Sequence, residues 1–391
     1  MADPQLLIEQ LKLLVETPET YGNEEQRHEI KRLGRLASIG LEAPFETMQR
    51  LVYSPLPLVA ARIGQDCALF STLAASQGPS DLAELSGASG LEPRILGSIM
   101  DYLSPQGIVV EAEKQRYMPT KLSHLLLVPL FNDAVTHFHD NCLPGFTAFH
   151  RILKKPRDSH MTAFKLGQHT EEDFYTWLET HPANQAAFHR FMEAQFASLP
   201  TWLDVFDFKT ELGRDAAPTD IMFVDVGGGN GSQCAGLRKV WPDMPGKMIL
   251  QDKPQVLEKV LRVEGMEVMG HDFLTEQPVR AKDARAYYFR QIMHNYDDEI
   301  CIAILKAHVG AMGEHSVILI DDKVLPDEKP PAGSPGVEYT AALSLAMKVM
   351  FDSMERREPH WRGLLHRAGL AIQDIRKFTQ FHDAIIVARK V

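Results

Sequence analysis

Residues 223–232 read Phe-Val-Asp-Val-Gly-Gly-Gly-Asn-Gly-Ser, an apolar run that breaks into glycine and then opens an amphipathic stretch. Such a segment folds as a strand, a tight turn and the first turn of a helix. Glycine lets the turn backbone approach a ligand closely, and the helix start presents N–H groups to it. A second apolar run, Met248-Ile249-Leu250, ends in Gln251-Asp252, about twenty residues past the glycines. An acid at the tip of a second strand is placed to hold a ribose diol in a nucleotide-binding βαβ unit. Together the two features mark a binder of a nucleoside-containing cofactor.

The glycines fall at 227, 229 and 231, and Asp225 sits inside the strand before them. A dinucleotide fingerprint has a longer gap before its third glycine, and a phosphate loop closes with Lys-Ser/Thr, which this segment lacks. The loop instead resembles the signature of class I S-adenosylmethionine (SAM)-dependent methyltransferases.

At 391 residues the chain has room for two domains, at about 150 residues each. A net charge of −11 speaks against nucleic acid or an anionic membrane as partner, since both demand a basic face. Cys67, Cys142, Cys234 and Cys301 are scattered, with no CxxC and no metal-like grouping, so no metal is expected and a reducing compartment is. Met1-Ala-Asp-Pro shows no signal-peptide pattern, and no apolar run of about 18 residues occurs. The expectation is a soluble, cytoplasmic protein.

The first half reads as nearly all helical. A helix over Leu58–Ala75 is followed by a turn, a short helix from Leu82, a further helix through Leu103, and two short strands around Glu113-Lys-Gln. That order is a winged-helix arrangement. DNA binding is its direct reading, yet the would-be recognition segment 91–102 carries Arg94 alone against Glu92 and Asp101. A dimerisation and substrate-shaping module fits better. A basic loop is expected at 154–158. From 220 onward apolar strands alternate with amphipathic helices, which argues a parallel sheet. Strands are expected at 221–226, 247–251, 267–269, 285–289 and 316–321, with an antiparallel one at 384–388. The fold class is thus α/β, a Rossmann-like sheet domain at 216–391 behind a mainly helical domain at 1–215.

After the fourth strand comes Tyr287-Tyr-Phe-Arg-Gln-Ile-Met-His-Asn-Tyr-Asp-Asp-Glu. His294 falls in a loop at a strand's C-terminal end, where open α/β sheets place their chemistry. It reads equally as a capping histidine and as a proton acceptor for a substrate hydroxyl. From about residue 50 onward the chain resembles the plant and fungal small-molecule O-methyltransferases that carry a winged-helix dimerisation domain. The motifs appear in that family's order: the glycine loop, Gln251-Asp252, Gly270-His-Asp-Phe, Arg290 to Glu299, Ile320-Asp-Asp-Lys-Val-Leu-Pro, Met354-Glu-Arg-Arg-Glu-Pro-His-Trp-Arg and His366-Arg-Ala-Gly-Leu. The resemblance implies a SAM pocket lined by Asp225, Gly227, Gly229, Asp252, Asp272, Phe273 and Arg290. It implies His294 as general base, flanked by Asp322 and Glu355. It also implies a homodimer.

Some positions depart from the family pattern. Asp322 stands where Glu is usual, Ser344 where the pocket helix usually begins with Asp, and Lys323 where the residue is normally apolar. Beside the base, a cation lowers the histidine's pKa and hydrogen-bonds a substrate carbonyl. This feature resembles a fungal branch of the same fold that dehydrates and cyclises polyketide-derived 2-pyridone alcohols by pericyclic chemistry, with SAM bound but not consumed. A wall of Phe174, Trp177, Phe191, Met192, Met347, Met350 and Phe351 suits an apolar substrate, and equally suits plain core. His137 and His139 are further pocket candidates, each also readable as a packing histidine. The expectation is a pericyclase, with Lys323 and Arg290 on the carbonyl and His294 moving the proton. The alternative is an O-methyltransferase acting on a phenol or enol. A SAM-sensing winged-helix regulator is the third reading.

Overall fold

The computed structural model describes residues 3–20, 22–154, 161–195, 199–279, 284–332, 334 and 336–391. The basic loop expected at 154–158 lies, beyond Lys154, outside the described residues. Three helices come first: α1 (Pro4–Glu16), α2 (Glu24–Leu41) and α3 (Pro44–Val52). Asp3 and Asn23 side chains cap the first two, which satisfies amides left open at a helix start. None of the three buries a residue.

The single helix expected over 58–75 is instead two, α4 (Leu56–Asp66) and α5 (Leu69–Ala75). Ala68 breaks it with φ 52°, a left-handed conformation that alanine rarely takes. The break folds Phe70 back onto Gly64, where a Cβ would lie 2.4 Å from the ring. With α6 (Leu82–Ser89) and α7 (Pro93–Leu103) come strands β1 (Ser80–Asp81), β2 (Val109–Glu113) and β3 (Arg116–Pro119), in the order β1-β3-β2. This is a winged-helix shape, and α7 turns Leu96, Met100 and Leu103 into its core.

Next come α8 (Lys121–Leu125), α9 (Pro129–Thr136), a π-helical turn at His137–Cys142, α10 (Leu143–Ala148), α11 (Ala163–Gln168), α12 (Phe174–Glu179), α13 (Pro182–Ala194) and α14 (Phe208–Leu212). The crossing of α10 and α11 is tight. A Cβ on Gly167 would lie 2.3 Å from the Pro144 carbonyl.

The second sheet holds β4 (Ile221–Val226), β5 (Lys247–Asp252), β6 (Met266–Gly270), β7 (Ala284–Arg290), β8 (Val317–Leu325), β10 (Leu370–Lys377) and β11 (Asp383–Lys390), in the order β10-β11-β8-β7-β4-β5-β6. A two-residue strand, β9 (Arg356–Arg357), pairs with the end of β8. Strands β4 to β8 run parallel, and β10 and β11 are antiparallel. On one face α16 (Asp298–Val309) and α18 (Glu358–Arg367) pack on Val224, Phe289, Ile318 and Ile320. On the other, α14 and α15 (Ser232–Val240) cover Phe223, Tyr288, Val317 and Leu319. Burial on both faces explains why these strands read as near-continuous apolar runs. The last long helix, α17 (Val337–Phe351), contacts α10 and α11. Among the described residues no helix is long and apolar enough to cross a membrane.

Candidate active site

The strand β4 ends in a loop that only glycine can trace. Gly227, Gly229 and Gly231 have φ of 68°, 60° and 84°, and a Cβ on Gly228 would lie 2.4 Å from the Asp225 carboxyl carbon. Space is open around Gly229. The Asp252 carboxylate, at the tip of β5, accepts from the amides of Gly229 (2.9 Å) and Lys253 (2.7 Å). Phe273 borders Gly227, and Asp272 caps the following turn through the Leu274 amide (3.0 Å). Arg290 lies 3.3 Å from Asp321, which also accepts from the Tyr288 hydroxyl at 2.6 Å. Asp225 is fully buried. Burial pushes its pKa up to about 7, against the pull of Arg290, and Oδ1 has no partner among the described residues. An open glycine cradle, a carboxylate at a strand tip and an unpaired buried acceptor fit a nucleoside sulfonium. The seven residues expected at the SAM pocket thus surround the C-terminal ends of β4 to β7.

Next to this cradle sits His294, in a short turn (Met293–Asn295) after β7. Its Nδ1 is 2.8 Å from Glu355 Oε1 and 3.7 Å from Asp322 Oδ1. With Nδ1 committed to Glu355, Nε2 is the nitrogen a substrate hydroxyl can reach. Burial depresses the histidine's pKa, but Glu355 and Asp322 outweigh it and hold the value at about 9. Asp322 is itself raised, because burial disfavours its charge more than His294 favours it. Oxygens Asp322 Oδ2 and Glu355 Oε2 are buried without a partner among the described residues. One nitrogen or oxygen atom from each of the three residues lies within 4.8 Å of the others, and the Nδ1 to Oε1 spacing of 2.8 Å is that of an ordinary hydrogen bond,.

Other residues hold this trio in place. Ser344 on α17 accepts from the Glu355 amide (3.3 Å). Arg356, almost fully buried, ties Met293 O (2.8 Å), Tyr296 O (2.7 Å) and Asp298 (2.9 Å) together. Sequence reasoning overlooked Arg356, although it directly follows Glu355 in the same motif.

Lys323 lies differently from expectation. Successive side chains of a strand point to opposite faces, so Asp322 faces His294 while Lys323 shares the face of Asp321. Its ammonium donates to Asp383 Oδ1 (2.6 Å) and Phe381 O (3.1 Å) and is 2% exposed. Its charge does oppose protonation of His294, as expected, but more weakly than the two carboxylates promote it.

The apolar wall is largely packed on itself. Phe174 and Trp177 join Phe164, Val349 and Met350 in one cluster, with Phe351 at its margin. Phe174 and Phe351 meet edge to face at 5.7 Å. Met192 and Met347 are half-buried, as is Ser344. His137 touches four phenylalanine rings. Its nitrogens face Asn141 (3.0 Å) and Cys142 (3.5 Å), and burial lowers its pKa to about 4. His139 pairs with Asp140 (2.6 Å), which in turn binds Arg62 on α4. An exposed residue of this wall was not anticipated. Tyr175 stacks on Phe351 at 5.7 Å, and the residue as a whole is 43% exposed.

A sequence model of the O-methyltransferase domain matches residues 215–371. The 16-O-methyltransferase bsc6 of Alternaria brassicicola is 33% identical over 358 residues, 89% of this chain and 87% of that protein. The O-methyltransferase lepI of Aspergillus flavus is 30% identical over 378 residues, 94% of each chain. Among solved structures, LepI in complex with SAM has a TM-score of 0.85 at 29% identity, with both chains covered in full. A structure described as a pericyclic reaction enzyme has the same score and identity over 99% of this chain and 100% of its own. OxaC, at 22% identity, shares the fold with a TM-score of 0.83 over 100% of both chains. S-adenosylmethionine is the cofactor of this domain, and the glycine cradle fits it. The chain is an enzyme of this fold and belongs to the O-methyltransferase family.

Proposed function

We propose that the protein is a SAM-dependent O-methyltransferase acting on a phenol or enol hydroxyl of a secondary metabolite. The observation that carries this reading is the His294–Glu355 contact at 2.8 Å beside the cofactor cradle, which orients Nε2 towards an incoming hydroxyl. When bound, S-adenosylmethionine supplies a methyl group made electrophilic by its sulfonium. His294 takes the hydroxyl proton at Nε2 and leaves a nucleophilic oxygen. Glu355 holds the Nδ1–H and, with Asp322, stabilises the imidazolium that forms. Phe351 and Tyr175, at the margin of the packed aromatic cluster, give the substrate an apolar face. Asp225, Gly227, Gly229, Asp252, Asp272, Phe273 and Arg290 hold the cofactor.

A second reading keeps the same site for dehydration and pericyclic ring closure without methyl transfer. Two observations favour it: the likeness to LepI and to the pericyclic enzyme over the whole chain, and an imidazole held protonated at neutral pH. A protonated His294 is an acid able to expel water from an alcohol. Lys323 no longer supports this reading, because its ammonium is engaged away from the base. Arg290 remains as the cation for a substrate carbonyl. Turnover with methyl-labelled SAM tests the choice, since a product without the label excludes methyl transfer.

Two expectations join this reading. A homodimer fits the apolar faces left open on α1 to α3. A cytoplasmic site fits the four unpaired cysteines, and cell fractionation that recovers the protein in a secretory compartment would contradict it.

A further inference from the structure

Lys323 is a nearly fully buried lysine that closes a run of charge, Asp321-Asp322-Lys323, yet β8 continues through all three. A buried ammonium is tolerated only when its donors are used. Lys323 stands directly across from Asp383 in the antiparallel pairing of β8 with β11, and the ion pair spans that gap at 2.6 Å. A second donor reaches Phe381 O at 3.1 Å. The third side of the ammonium faces the Tyr339 ring on α17, 5.6 Å from its centre. Two of the ammonium's three donors are thus taken by acceptors on the β11 side, and the third side is covered by an aromatic ring.

The neighbours extend the tie in both directions. Phe381 O also accepts from Thr340 on α17 (3.0 Å), and the Thr379 hydroxyl donates to Asp383. On the backbone side, the Lys323 amide donates to Asp322 Oδ1 (3.0 Å), and the Lys323 carbonyl accepts from Trp361 on α18 (3.1 Å). Both carboxylates of the His294 trio therefore hang on elements that this one ammonium joins: Asp322 on β8, and Glu355 through Ser344 on α17. The cavity beside Asp383, which Asp321, Arg290 and Thr379 also line, has a volume of about 30 Å³. That is room for a water, not for a substrate ring.

We infer that Lys323 is a positioning residue: its ion pair with Asp383 clamps the end of β8 to β11 and α17, and so sets Asp322 and Glu355 around His294 from the opposite face of the sheet. The inference rests on His294 as the group that moves the proton, and holds whichever reaction follows. The charged groups around the imidazole are Glu355, Asp322, Arg356 and Lys323. Those around the ammonium are Asp383, Asp321 and His382.

The test is a double-substitution cycle on the full chain: Lys323→Met, Asp383→Asn and the pair K323M/D383N. Each measurement covers kcat, KM for SAM and an NMR titration of the His294 imidazole. Each single change is expected to lower kcat about ten- to a hundred-fold, the range for outer-shell partners of a functional group, with KM for SAM unchanged. The double variant is expected to recover most of that loss, because no buried charge is then left unpaired. In Lys323→Met the loosened Asp322 and Glu355 hold the imidazolium less well, and the His294 titration moves to lower pH even though one opposing charge has gone. An active D383N beside an inactive K323M, with the double variant equally inactive, would assign the ammonium to the substrate and overturn the clamp. So would a His294 titration that stays in place or moves to higher pH in K323M, since loss of the charge alone accounts for that. The titration is read without substrate, so it decides the clamp even where no methyl transfer is found.

Discussion

In the proposed reaction His294 moves the proton, and its protonation sets a pH signature. Burial works against its charge, but Glu355 and Asp322 raise the pKa from 6.5 to about 9. The imidazole is therefore charged at neutral pH, and the proton-accepting form grows as pH rises. For a hydroxyl substrate neutral over this range, kcat/KM is expected to climb with pH and level off near 9. His294→Ala should remove that limb and lower kcat by about 10²- to 10⁴-fold, the usual worth of a positioned base. A flat profile in the unaltered enzyme would contradict the assignment. The same shift acts on folding. Stability from His294 is complete below its ordinary pKa of 6.5 and is lost as pH rises through about 9, because the folded form then releases a proton it had held more tightly,. The trio itself was legible in the sequence, since its members sit in ordered motifs. The direction of Lys323 was not. Three consecutive charges read as the end of a strand, and only a strand that runs past them to Leu325 sends Lys323 and Asp322 to opposite faces.

At the scale of elements, the site depends on helices that never touch it. Gly145 on α10 leaves no room beside Val349 of α17: a Cβ there would lie 2.9 Å from its Cγ1. A Cβ on Gly167 of α11 would lie 2.3 to 2.6 Å from the backbone of Pro144 and Gly145. Gly167→Ala must therefore separate α10 from α11 and shift α17, which carries Ser344 and Phe351. The expected result is a loss of about 1–3 kcal/mol, the scale of overpacking, in chemical denaturation, with a raised KM for the methyl acceptor. Unchanged stability would show that the helices yield freely. The parallel strands were legible from sequence because burial on both faces makes them continuous apolar runs. By contrast, β10 was missed: its run Leu-Ala-Ile-Gln-Asp-Ile-Arg-Lys mixes polar and apolar residues, as an edge strand with one wet face does,. The break between α4 and α5 was illegible too, since neither glycine nor proline marks Ala68.

At the scale of the molecule, α1 to α3 expose Leu13, Val15, Leu41, Phe45, Leu51 and Val52 at 57% to 85%. One link between this region and the catalytic half is the ion pair of Arg35 on α2 with Glu338 on α17. Apolar surface of that extent marks an interface, and a second copy of the chain is the proposed occupant. Sedimentation equilibrium should return twice the mass of one chain, and a monomer at micromolar concentration would contradict the proposal. The fold as a whole is shared by enzymes that transfer a methyl group and by one described as pericyclic, so the fold cannot choose between the chemistries. The proposed methyl transfer rests on the His294–Glu355 pair beside the cradle and on a Lys323 whose ammonium is engaged away from it. The most direct test is mass spectrometry of products formed from methyl-deuterated SAM and metabolites of the native host. The account predicts a product carrying the deuterated methyl, with S-adenosylhomocysteine released in equal amount and both formed about 10²- to 10⁴-fold more slowly by His294→Ala. A product that has lost water or only changed isomer, with SAM recovered intact, would contradict it.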